Sequence, residues 1–236
     1  ISKKIYLVSC PSDQTRKDLI KLNIFPANKL KILYDPILQI KKIKKDLDNK
    51  KKFSFCDKKY FLNIGRLTKQ KNQILLIKAF SEILVKNRDL ILLIVGEGEE
   101  RANLEKYIKS KNLNNNIFLI GHVKNVYPYI KKSLAVISSS KWEDPGAVMI
   151  EASFCNKNVI SSNCPNGPEE FLSYGKSGYL FKNNNQKDLV DKMNLFLFES
   201  DKERFNKIVE SKKKAKNYTI FNHFKLLDSF LNMSDR

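Results

Sequence analysis

Four stretches of this sequence carry residue types, at spacings, suited to holding an anion and a set of hydroxyl groups. The first is the segment from Gly65 to Asn72, between an apolar run and an amphipathic one. Gly65 lets the backbone turn as the run ends. Arg66 and Lys71 stand five apart where a loop enters a helix, so both can reach one anion there. The helix N-terminus adds its own attraction for phosphate, and a guanidinium fork beside an ammonium makes a workable diphosphate clamp. The competing reading is two surface cations in a lysine-rich chain. The second stretch, Gly96-Glu97-Gly98, also leads from strand to helix. It lacks the third glycine of a dinucleotide fingerprint and follows the second strand of its series, so it argues against an NAD enzyme. A tight turn beside a ligand remains open for Gly96 and Gly98.

The third stretch is the most specific. Glu143 sits in a loop after a strand, and Glu151 follows eight positions later inside an apolar helix. A carboxylate in such a segment is costly to bury unless it is paired or hydrogen-bonded, and ribose hydroxyls would satisfy it. Gly146, Ala147 and Val148 open that helix and offer backbone N–H groups to an anion. The plain alternative is a helix acid and a solvated loop acid. In the fourth stretch, Gly167-Pro168-Glu169-Glu170, a glutamate either meets a ligand or complements a first helical turn.

Alternating strands and helices must position these loops. Strands are expected at 5–10, 30–34, 59–64, 90–95, 117–120, 134–138, 158–161 and 178–181. Helices are expected at 13–22, 72–86, 99–111, 125–131, 147–154, 167–174, 188–198, 202–216 and 220–232, the first capped by Ser12 or Asp13. The continuous apolar run Leu90–Val95 suits a central strand buried on both faces. The order implies an α/β fold, a Rossmann-like parallel sheet with helices on both faces. Ligands of such sheets bind beyond the carboxyl ends of the strands, where the four stretches fall. Residues 41–58 read as charged, turn-like and poorly periodic.

The balance of 44 basic against 25 acidic residues gives a net charge of +19 in 236 residues. The cations are spread along the chain, with clusters at Lys41–Lys45, Lys50–Lys52 and Lys212–Lys216. Solvated faces account for most of this. Peripheral contact with an anionic membrane surface is a second reading. No nucleic-acid motif supports a third. Cys10, Cys56, Cys155 and Cys164 lack metal-ligand spacing, and His122 and His223 are isolated, so no metal site and no cofactor is expected. The thiols read as reduced and the protein as cytoplasmic, since no apolar run is long enough for a span and no signal peptide is present.

Taken together, 65–72, 95–98, 118–121, 142–152 and 167–169 resemble, in order, the marks of the GT-B glycosyltransferases of group 1, family four. That family includes sucrose synthases, bacterial mannosyltransferases and lipopolysaccharide or O-antigen transferases. The resemblance implies that Arg66 and Lys71 hold a donor diphosphate and that Glu151 binds ribose. It places Glu143 at the transferred sugar, near the reacting carbon, and the amides of Gly146 to Val148 at sugar or phosphate oxygens. It further implies retention of configuration without a metal, and a nucleotide-sugar donor, a UDP-sugar first and GDP-mannose second. The acceptor would be a glycan or lipid-linked. Asp144-Pro145 departs from the family pattern, removing one N–H and adding a negative charge near the phosphate.

The chain would be the C-terminal half of such a fold. Residues 1–35 would end an N-terminal acceptor domain, 36–58 would link, 59–218 would bind the donor, and 219–236 would cross back. The chain, beginning at Ile1 rather than Met, reads as a fragment or trimmed piece of a longer protein. Acceptor-side residues would lie upstream, neither histidine fits their role, and the chain alone would bind donor but transfer little. A nucleotide-sugar epimerase of the same architecture and a non-catalytic basic binding module are the alternatives. The module would lose affinity steeply with salt.

Overall fold

The computed structural model describes residues 5–48 and 53–232. The Lys50–Lys52 cluster lies outside them. Six parallel strands form the main sheet: β3 (Tyr60–Ile64), β4 (Ile91–Val95), β5 (Ile117–Gly121), β6 (Ala135–Ser138), β7 (Asn158–Ser162) and β8 (Tyr179–Phe181), in the order β5-β4-β3-β6-β7-β8. The chain builds outward from β3 to one edge, then returns to its other side with β6. Between β3 and β6 the strand order reverses, and a crevice opens there at the carboxyl ends.

Side chains alternate across each strand, so neighbours enter different cores. Phe61 faces a core shared with α3 (Gln73–Leu84), α4 (Arg101–Ser110) and α8 (Gln186–Phe198). Tyr60 and Leu62 face the other core, shared with α5 (Tyr127–Lys132), α6 (Ala147–Phe154) and α9 (Asp201–Ala215). All five residues of β4 are buried, as expected of a central strand.

A smaller unit precedes this sheet. β1 (Val8–Cys10) pairs in parallel with β2 (Leu30–Ile32), joined by α1 (Asp13–Lys21). Ser12 is the α1 N-cap, accepting from the Thr15 N–H. The C-terminal helix α10 (Ile220–Leu231) lies against the end of this unit: His223 Nδ1 is 2.8 Å from the Tyr34 carbonyl oxygen, and the Tyr34 and Tyr218 rings are 4.9 Å apart.

Two expectations are corrected. Residues 41–58 are not turn-like throughout, because α2 (Ile40–Leu47) is a helix. Pairs of lysines at 41–42 and 44–45 hide the period, yet Ile40, Ile43 and Leu47 share one face and Ile43 is buried against the α5 side of the sheet. Residues 167–174 are not one helix. α7 spans only Pro168–Phe171, and Ser173 and Tyr174 adopt left-handed conformations that stop it.

Candidate active site

A cavity of about 240 Å³ sits in the crevice between β3 and β6. Its floor includes Ile64 and Ser138, the last residues of those strands. Its wall includes Lys71, Glu143, Gly146, Ala147 and Val148. Five of the residues picked from the sequence therefore meet in one place, from loops 72 positions apart.

Lys71 and Glu143 touch. The Lys71 Nζ lies 2.6 Å from Glu143 Oε1, and the Ser140 hydroxyl donates to the same oxygen at 2.5 Å. The side chains are 21% and 13% exposed, enough shielding to strengthen the pair above a surface bridge. Three backbone links fix the two loops. The Lys141 N–H donates to the Gln70 carbonyl at 2.8 Å, the Ser139 hydroxyl to the Lys71 carbonyl at 2.8 Å, and the Ser162 hydroxyl to the Ser140 carbonyl at 2.5 Å. Ser139 and Ser140, just beyond the strand expected at 134–138, thus seat the ion pair. No local signal marks that role.

The helix start is open. Gly146, in a left-handed conformation (φ 95°), precedes α6, and no side chain caps it. The first N–H groups of α6 have no partner within the helix, and Ala147 and Val148 line the same cavity as Lys71. Positive potential therefore comes from the lysine and the helix end together.

Glu151 does not line this cavity. Its Oε1 accepts from the Tyr127 hydroxyl on α5 at 2.8 Å. Burial pushes the carboxyl up, while the tyrosine bond and then Lys42 on α2 pull it back. Burial and then Glu151 push the Tyr127 phenol far up, so it stays a donor. Tyr127 is a residue sequence reasoning missed, 24 positions away on a different helix.

Arg66 is exposed, and among the described residues nothing pairs with its guanidinium. Gly65, Gly96 and Gly98 bring loops together rather than lining the cavity. A Cβ on Gly96 would lie 1.9 Å from the Gly65 carbonyl oxygen, and one on Gly98 2.3 Å from that of Leu67. Two hydrogen bonds, Gly65 N–H to the Val95 carbonyl and Leu67 N–H to the Glu97 carbonyl, complete the contact. Gly96 and Gly98 thereby shape the backbone from which Arg66 projects.

Glu169 lines a second cavity, of about 310 Å³, between α1 and the β7–α7 loop. Its neighbour Glu170 does more: Glu170 Oε2 accepts from the Asp13 N–H at 2.9 Å and the Gln14 N–H at 3.4 Å, capping α1 from across the chain. Asp144-Pro145 is a cis peptide. A Cβ on Gly167 would lie 2.4 Å from the Pro145 carbonyl oxygen, so the two loops press together there. Among the described residues no three His, Cys, Asp or Glu side chains converge, and no helix is long and apolar enough to cross a membrane.

A model of the family described as glycosyl transferases group 1 matches residues 44–217. A poly(ribitol-phosphate) alpha-N-acetylglucosaminyltransferase of Staphylococcus aureus is 32% identical over 139 residues, 59% of this chain and 28% of that protein. The N-acetylgalactosamine-N,N'-diacetylbacillosaminyl-diphospho-undecaprenol 4-alpha-N-acetylgalactosaminyltransferase of Campylobacter jejuni is 30% identical over 192 residues, 80% of this chain and 49% of that protein. A mutant of S. aureus TarM, in complex with fondaparinux, α-GlcNAc-glycerol and UDP, superposes with a TM-score of 0.78 at 25% identity, over 98% of this chain and 44% of that one. The chain spans less than half the length of each of these proteins.

Proposed function

Because the chain belongs to the glycosyl transferases of group 1, we propose that it supplies the donor site of a retaining glycosyltransferase that moves a sugar from a UDP-sugar to a glycan or lipid-linked acceptor. The observation that carries this reading is the cavity at the strand-order reversal, where Lys71, Glu143 and the open start of α6 meet. The UDP-bound TarM structure favours uridine over guanosine as the base. Two relatives named for transfer of N-acetylhexosamines make UDP-N-acetylhexosamines the first sugars to try.

Each residue has a part in this reading. Lys71 leaves Glu143 and meets the diphosphate, neutralising charge as the leaving group departs. Arg66, with no partner of its own, closes on the same diphosphate as a fork. The amides of Gly146 to Val148 meet sugar or phosphate oxygens. Glu143, released from Lys71, accepts from hydroxyls of the transferred sugar close to the reacting carbon. Glu151 accepts from the ribose. Gly65, Gly96 and Gly98 hold the Arg66 loop in place, and Glu169, on the loop after β7, completes the donor-binding set. Lysine, arginine and a helix end supply the positive charge, so no metal is needed for the donor.

Two results test this. Glu151→Gln should weaken UDP binding about tenfold, the size of one charge-assisted hydrogen bond, with the melting temperature kept; unchanged affinity would remove Glu151 from the ribose. UDP binding should be the same in chelator as in magnesium. A loss in chelator that magnesium restores would contradict the metal-free donor site.

A further inference from the structure

We infer that Tyr127 is a positioning residue: it fixes Glu151 so that one carboxylate oxygen is committed to the protein and the other is presented to the ribose, and the site thereby selects ribonucleotides over deoxyribonucleotides. This rests on the donor-site reading above. Tyr127 donates to Glu151 Oε1, whereas Oε2 takes no hydrogen bond from any described residue and is not among the sealed, unpartnered polar atoms. A carboxylate with one oxygen held and one open has a defined direction in which to accept. Without the tyrosine, rotation about its last bond would spread that acceptor over a broad, roughly two-fold range.

The tyrosine is itself held. It is 9% exposed and packs in the core that contains Ile43 and Ile150. Its N–H donates to Asn125 Oδ1 at 3.0 Å, and the Asn125 amide donates to the Asp46 carbonyl at 3.1 Å. Helix α2 therefore braces the start of α5, and α5 braces Glu151 on α6. Phenylalanine would fill the same space and remove only the donor.

The test is calorimetric titration of this chain and of Tyr127→Phe and Glu151→Gln with UDP and with 2′-deoxy-UDP. The unaltered chain should bind UDP about tenfold or more tightly than 2′-deoxy-UDP, the size expected of one hydrogen bond to a charged group. Tyr127→Phe should reduce that ratio to within about threefold by weakening UDP alone, with 2′-deoxy-UDP affinity kept. A merely structural tyrosine would instead lower both affinities together. A ratio lost in Glu151→Gln but intact in Tyr127→Phe overturns this inference and leaves the donor-site reading standing. A ratio near one in the unaltered chain, with UDP still bound, overturns this inference and the ribose role of Glu151; failure to bind UDP at all overturns the donor-site reading.

Discussion

Lys71→Ala and Glu143→Gln are expected to change UDP affinity in opposite directions. In the free chain Lys71 is spent on Glu143 at 2.6 Å, and a diphosphate must take it away. Removing Lys71 deletes a charge-assisted contact, so UDP should bind roughly 10- to 100-fold more weakly, while uridine, which has no diphosphate, is little changed. Removing the charge of Glu143 frees Lys71, so UDP should bind about 3- to 10-fold more tightly. The corresponding UDP-sugar should gain less, because it loses its hydroxyl partner. Lys71→Ala should also destabilise the fold by about 1–2 kcal/mol, since it leaves a shielded carboxylate held only by Ser140. Calorimetry on the two variants checks the pair. Both weakening UDP to the same degree would mean that the ion pair is a structural bridge and no part of a diphosphate site.

Gly96→Ala is expected to be the most destabilising of these substitutions. Its Cβ would overlap the Gly65 carbonyl oxygen at 1.9 Å, and φ is 140°, where a side chain is strained whatever the space. Neither partner is a flexible side-chain end, so the backbone of the Gly65–Arg66 loop must move. A loss of about 3–5 kcal/mol follows for a core clash combined with backbone strain. For a chain of this length that lowers the melting temperature by roughly 6–20 °C. Gly175→Ala is the control: its φ is 93° but no atom lies within 4 Å of a Cβ, so strain alone operates, about 1–2 kcal/mol. Equal melting temperatures for the two variants would show that the two strand-end loops are not locked together.

The strands and most helices were legible because each signal is local. The run Leu90–Val95 suits a strand buried on both faces, and β4 is buried throughout; Ala147–Phe154 reads as a helix and forms one. Helix α2 was not legible, since lysines at 41, 42, 44 and 45 mask an apolar face of only three residues. At the site, the residue types at 71, 143 and 146–148 were readable from the chemistry of anions and hydroxyls. That Lys71 and Glu143 neutralise one another was not, because the contact spans 72 positions and depends on β3 and β6 lying side by side. The same holds for Tyr127 with Glu151 and for Glu170 with α1. Gly96 and Gly98 read as a tight turn because close backbone approach requires glycine whether the neighbour is a ligand or another loop; within the chain the neighbour is residues 65–67.

Thermal melting of the unaltered chain with UDP, GDP, their sugars, NAD and inorganic phosphate tests the donor site most directly. A ligand at ten times its dissociation constant adds about 1.4 kcal/mol, roughly 3–6 °C for a chain of this size. That shift is expected with UDP and UDP-sugars, and none with NAD or phosphate. No shift with any nucleotide, or an equal shift with inorganic phosphate, would contradict it.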